Sequence, residues 1–413
     1  MANLGTPKIN VTFRELGITA IGRGDKGTVA IIIREAGYTN KLSLSQASDI
    51  PTDISKVNQD YISRAFLGYT NPPKKVIVCP FGVMETDTSG TGGGSETGSG
   101  PAEELDPVDE EFSVKPRIGE MVSLAATAEA ENAETESAAE TATLADALSY
   151  MATQNFDYIV GPHDCTSEEA ALIASWVKSQ RTNNGAKYKA VLPNTAADHS
   201  AIVNFTSEGM TDGSVIYTTA AYCSRIAGLL AGTPMRISAT YAPLPELTDV
   251  TRLEKDAQDE AVNRGELILV WDGRKVKVSR AVTSFVTTRE GMLDSFKKIK
   301  LVEIMDLIRT DITQTTEDEY IGKYSNSYDN KLLLITAIRG YMEQLRLDGL
   351  VKEGYTVELD VERQRAYLKS KGADVDEMSE QEIKEADTGS QVFLLVKCKI
   401  LDTIEDVNID CEI

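Results

Sequence analysis

Val407-Asn-Ile-Asp-Cys-Glu-Ile413 alternates apolar and polar residues without a break, and there the sequence stops. A period of two is the mark of a strand with one buried face. No turn follows to bring a partner strand back, and terminal segments fray unless tied down. The partner of such a strand must lie elsewhere. A second segment of this kind, Ile9-Asn-Val-Thr-Phe13, lies near the other end. Two terminal strands predict a chain that is stitched to copies of itself.

The remaining bulk properties narrow the class. A length of 413 residues suggests two to four domains, and 41% hydrophobic with 26% charged content is ordinary for a globular protein. The net charge of −22 argues against nucleic acid and against anionic membranes as partners. It also sets copies repelling one another at long range, so self-association must rest on short-range contacts. Glu85 to Glu140 holds fifteen acids against two bases, Lys115 and Arg117, and so carries 13 of the 22 excess charges. The five cysteines (79, 165, 223, 398 and 411) are scattered and form no CxxC pair, as expected of small core residues in a reducing compartment. The start, Met-Ala-Asn-Leu-Gly-Thr-Pro, lacks the basic and apolar regions of a signal peptide, and no apolar run approaches the roughly 20 residues of a membrane span. The expectation is folding in a cytoplasm, with no membrane insertion.

Along the chain, Gly27–Ile33 and Lys75–Cys79 read as buried strands. Ser89–Gly100 is Gly/Ser/Thr-rich and leads into acidic, Pro-containing and Ala/Glu/Thr-rich sequence, within which Glu111–Lys115 and Ile118–Leu124 form at most a small hairpin. Order resumes with a short amphipathic helix through Leu144, Leu148 and Met151. A strand at Phe156–Val160 follows, then a helix opened by the capping box Thr166-Ser-Glu-Glu169, then a strand at Tyr188–Leu192. Strands alternating with helices predict an α/β unit with a largely parallel sheet. The acidic stretch therefore reads as an insertion into a β-to-α connection. A helix over Ala220–Gly232 precedes a hairpin of Glu266–Trp271 and Lys275–Ser279 around an Asp-Gly turn. Phe296–Ile312 reads as a long helix; Asp329 caps a second one, which ends at Gly349. With strands at Tyr355–Asp360 and Val392–Leu401, the second half reads as α+β.

Candidate chemistry is thin. Gly22-Arg-Gly-Asp-Lys-Gly27 matches GxGxxG, but a strand follows it where a dinucleotide site needs a helix N-terminus, so it reads as a glycine-rich turn. Arg23-Gly-Asp25 reads as a chance tripeptide. The other motif is Gly161-Pro-His-Asp-Cys165, at the end of a strand, where α/β active sites gather. Neighbouring strand residues point to opposite sides, so His163 and Cys165 converge only in a turn. They support the alternative reading, a cytoplasmic α/β enzyme, without a second catalytic partner. An adhesion module is the third reading, and the missing export signal counts against it. Lys297, Lys298 and Lys300 form a local basic cluster, either a solvated helix face or a contact for an acidic partner.

Several segments together resemble the tail sheath proteins of contractile bacteriophage tails and phage-tail-like bacteriocins, in particular the short sheath proteins of clostridial type. They are Gly265–Leu269 before Val278-Ser-Arg-Ala-Val-Thr283; the helix from Phe296-Lys-Lys-Ile-Lys-Leu301; Tyr320–Asn330 with the helix to Leu347-Asp-Gly349; Tyr367–Gly372; Glu382–Gly389; and, upstream, Phe205-Thr-Ser and Ser224–Pro234. The resemblance implies no enzyme and no cofactor or metal. It implies a structural subunit with an α/β outer domain (21–250, interrupted by 85–140), an α+β sheath core domain (251–401), and arms at 1–20 and 402–413. Partners would be itself in stacked six-membered rings, the inner tube protein, and baseplate and tail terminator proteins, in a virion or tail-like particle assembled in the host cytoplasm. The arms would add strands to a neighbour's sheet, with Ile9, Val11 and Phe13 as the inward face of one and Val407, Ile409, Cys411 and Ile413 as that of the other. The sheath would contract from a metastable extended state and drive the tube through a bacterial envelope. The lysines at 297, 298 and 300 would meet the tube. The segment Asp402-Thr-Ile-Glu405 departs from the Pro-containing elbow of many relatives, which leaves the bend of the arm open.

Overall fold

The computed structural model describes residues 21, 26–82 and 142–412. Ile9, Val11, Phe13, Arg23-Gly-Asp25, the proposed hairpin within 111–124, and Ile413 lie outside them.

The β-branched run expected at the start is β1 (Thr28–Arg34). After the short β2 (Leu42–Leu44) and the helix α1 (Lys56–Ala65) comes β3 (Lys75–Phe81). The sequence reading missed α1, because only Tyr61, Ile62 and Ala65 of its apolar stripe are buried and its first turn is polar. Gly82 N–H donates to the Ala142 carbonyl (3.2 Å), so the chain leaves and re-enters at one point beside the end of β3. There follow α2 (Leu144–Met151), β4 (Tyr158–Val160), α3 (Ser167–Asn183), β5 (Lys189–Pro193) and β6 (Ile202–Phe205). Thr166 caps α3 reciprocally with Glu169, as its sequence predicts. Short strands β7 (Met210–Thr211) and β8 (Ile216–Tyr217) lead into α4 (Thr219–Ala231) and α5 (Lys255–Asn263).

The main sheet runs β2-β3-β1-β4-β5-β6-β9, where β9 is Glu266–Leu267; β2 is antiparallel to β3 and the other pairings are parallel. Alternate residues of β1 serve two cores. Val29, Ile31 and Ile33 pack on the side of Tyr61, Ile62, Ile226 and Leu229, from α1 and α4. Ala30 and Ile32 pack on the side of Leu148, Met151, Ile173 and Val177, from α2 and α3. Burial on both faces is why the strand reads as an unbroken apolar run.

The expected hairpin is corrected at one residue. Glu266–Leu267 pairs with β6, whereas Leu269–Trp271 (β10) pairs antiparallel with Val276–Val278 (β11). The break falls at Ile268, where Leu269 N–H leaves the ladder and donates to the Ser207 hydroxyl at 2.7 Å.

The long helices are shifted too. The first, α6, spans Ile299–Glu319, after one 3-10 turn at Asp294–Lys297. It cannot start at Phe296, because the Lys297 carbonyl accepts from Thr283 N–H and Ile299 N–H donates to the Ala281 carbonyl. Lys298 is extended between them (φ −100, ψ 122). The second helix, α7 (Tyr328–Leu347), is capped by Ser327 rather than Asp329, which lies in its first turn. Gly349 follows with φ +71, the left-handed residue that ends a helix. Residues Thr356–Leu359 (β12) and Leu394–Lys397 (β13) pair antiparallel; the small helices α8 (Val361–Ser370) and α9 (Glu380–Glu385) lie between them in sequence. The ladder is shorter than the expected Val392–Leu401. Ile304, Leu307, Ile338, Met342, Val357 and Leu359 form the core under α6 and α7.

Candidate assembly site

The last described residues determine how the arm leaves the body. Leu401 N–H donates to the Leu350 carbonyl at 2.8 Å, the last backbone tie among the described residues. From there exposure alternates: Leu401, Thr403 and Glu405 are half-buried, while Asp402, Ile404 and Asp406 are exposed. The Glu405 side chain is only 5% exposed. It accepts from Lys298 Nζ (2.9 Å) and Thr240 Oγ1 (2.8 Å), with Ser238 Oγ at 3.4 Å and Arg280 Nε at 3.5 Å. Lys298 also grips Asp402, and Arg280 grips Asp406. Burial lowers the Lys298 pKa, but the hydrogen bonds its ammonium donates to Asp402 and Glu405 outweigh that and hold it raised. Past this clamp no described residue covers the chain: Val407 is 67% and Ile409 76% exposed. Both have the parity of the inward residues 401, 403 and 405.

The three lysines therefore do not form one solvated helix face. Lys297 belongs to the 3-10 turn and pairs with Asp294 at 3.0 Å. Lys298 serves the arm. Lys300 is buried, and burial pulls its ammonium pKa down against the attraction of Asp402 and Glu405. Sequence reasoning missed Glu405, Arg280, Ser238 and Thr240. The acids of Asp402–Asp406 were a visible signal, but their cationic partners lie more than 100 residues away.

The sheet of β12 and β13 offers two strand edges. On the outer edge of β12, the Val357 carbonyl is taken by the Arg339 guanidinium at 2.8 and 3.1 Å. The outer edge of β13 pairs with no other strand among the described residues.

The enzyme reading finds its residues pulled apart. His163 Nδ1 lies 3.2 Å from Asn58 Oδ1, and Asp164 pairs with Arg34 at 3.0 Å. Burial pushes the Cys165 thiol up to about 12, so it is not a ready nucleophile. Among the described residues, no three His, Cys, Asp or Glu side chains are grouped to hold a metal.

A buried ionic cluster joins α6 to the N-terminal ends of the parallel strands. Asp306 takes Arg181 at 2.6 and 3.0 Å and Lys189 at 3.2 Å; Glu303 takes Lys26 and the Tyr158 hydroxyl; Asp157 takes the Gly27 and Thr28 N–H groups. It is a structural joint between the main sheet and the helical layer.

Residues 137–284 match the model of the phage tail sheath protein central domain, and 294–413 that of the phage tail sheath C-terminal domain. The chain is 33% identical over 410 residues to the tail sheath protein of Clostridium phage phiCD119, covering 98% of both chains. It belongs to the phage tail sheath protein family. The sheath fold recurs in the crystal structure of a sheath tail protein from Desulfitobacterium hafniense (TM-score 0.61, 17% identity, covering 86% of this chain and 94% of that one). It recurs again in the contracted sheath complex of the extracellular contractile injection system PVC (TM-score 0.58, 9% identity, 99% and 98%). The protein is thus a member of a family of phage tail sheath components.

Proposed function

We propose that this sheath protein polymerises around a tail tube by exchange of β-strands between copies, and that the polymer contracts to drive the tube through a bacterial envelope. The observation that carries this reading is the overhanging arm, clamped at Glu405 and bare at Val407 and Ile409. A strand that continues the inward parity of its clamped root, with nothing beneath it, is completed by a neighbour's sheet. The β13 edge suits that role, because Arg339 already occupies the β12 side. Each large side chain buried there contributes on the order of 1.5–3 kcal/mol, enough for several to hold an arm. The segment carrying Ile9, Val11 and Phe13 acts the same way at the other end. A joint of this kind, repeated from copy to copy without closing, gives a helical lattice, and the family resemblance implies that the lattice is built of stacked six-membered rings. The arms keep copies linked while their bodies repack on contraction.

Assembly takes place in the host cytoplasm, with the tube, baseplate and tail terminator as further partners. Of the three lysines, Lys297 is the one left to meet the tube, its side chain being 37% exposed. Negative-stain microscopy tests the reading. The full chain forms hollow striated cylinders, and a chain lacking 407–413 remains monomeric with an unchanged unfolding transition. Normal cylinders from the truncated chain would sink the arm exchange.

A further inference from the structure

The elbow does more than join the arm to the body. Asp402–Asp406 lies as an acidic strap in a basic notch built from three separate parts of the chain. These are the Ser238–Thr240 loop, Arg280 just after β11, and Lys298 at the start of α6. The loop is itself braced, since Thr240 Oγ1 also accepts from Ala281 N–H at 3.1 Å. At its centre a carboxylate 5% exposed receives two cations and two hydroxyls. Multiple charge-assisted bonds to one nearly buried acid fix its position and orientation, which one exposed ion pair does not.

We propose that the notch and strap form a positioning device, with Glu405 as the residue that sets where the free strand leaves its subunit and which face it shows. The proposal rests on the arm-exchange reading above. Glu405 points inward, and a strand turns over every residue, so Val407, Ile409 and Cys411 point the same way. Had the strap slipped by one residue, the polar set Asn408, Asp410 and Glu412 would face the neighbour instead. Anchoring at 405 also sets where the free length begins. From Val407 to Glu412, at about 3.3 Å per residue, an extended arm spans roughly 20 Å. The second copy must then present an apolar surface to that face of the arm.

The test places a nitroxide label at Ile404→p-acetylphenylalanine, an outward position 88% exposed, through its ketone, in a full chain that keeps all its cysteines. The label reports strap mobility in the monomer, and microscopy counts straight cylinders. Glu405→Ala should shorten the label's rotational correlation time at least threefold, with an unchanged unfolding midpoint, and cut the yield of straight cylinders at least fivefold. Lys298→Gln, acting from the other side of the contact, should do the same. Unchanged mobility in both variants overturns the anchor. Mobile straps with a normal yield of straight cylinders overturn its guiding role. If the unsubstituted chain makes no cylinders, it is arm exchange that fails, and the mobility comparison still decides whether the strap is held.

Discussion

At the scale of single residues, buried charge is the dominant theme. Asp306 is 7% exposed and satisfies two cations, Arg181 and Lys189. Removing one partner of a buried pair leaves an uncompensated charge, which costs about 3–5 kcal/mol. Asp306→Asn is expected to lower the unfolding free energy by that order in a urea titration. His199 offers a pH dependence. Burial, then the charges of Arg181, Lys178 and Arg289, lower its pKa to about 4, and its Nδ1 accepts from Ala201 N–H at 3.1 Å. The native state binds the proton more weakly than the unfolded chain does. The stability tied to the neutral ring is therefore full above pH 6.5 and is lost as pH falls towards 4. The ring is partly open to water, so the effect is about 1–2 kcal/mol rather than the full value of the shift. His199→Asn keeps an acceptor and removes the proton site. Its stability difference between pH 7 and pH 4.5 should be smaller than that of the unsubstituted protein by this amount, as read from urea midpoints.

At the scale of elements, close approach decides what sequence periodicity does not. Within α4 lies Gly228, where an added Cβ would be 2.0 Å from the Ala65 carbonyl oxygen in α1. The glycine is there for contact between two helices, not for a turn. Gly228→Ala must push α1 and α4 apart and should cost about 1–3 kcal/mol, measured by thermal unfolding. Strong local signals were legible in advance. The Thr166 box, the apolar run of β1, and the stop at Gly349 all depend on neighbours within a few residues. The start of α6 was not legible, because its first backbone groups are taken by 281–283. Nor was the split at Ile268, which depends on the Ser207 hydroxyl.

At the scale of the whole molecule, the body and the arm are separable. The described residues of the body hold the parallel sheet and the cores on both its faces, whereas 407–412 bury almost nothing. Loss of 407–413 should shift the melting temperature by less than 1 °C, since its described residues, 407–412, add almost no apolar burial to the isolated chain. A fall of several degrees in calorimetry would mean that the arm folds onto its own body. The acidic character of 85–140 and the net charge of −22 bear on how copies repel one another, and not on which fold they take.

The amino-acid sequence by itself determined the period-two pattern of 407–413, the parallel α/β pattern and the family, because periodicity, caps and motif order are local properties of a chain. It left open the bend around Asp402. Only the tertiary structure decided that bend, by bringing Ser238, Thr240, Arg280 and Lys298 around Glu405. It likewise took Lys298 and Lys300 out of the basic cluster that the sequence suggested, one into contact with Asp402 and Glu405 and the other into the interior. The physical reason is the same in each case. A charge finds its partner through space, and the partners here are separated by up to 167 residues of chain.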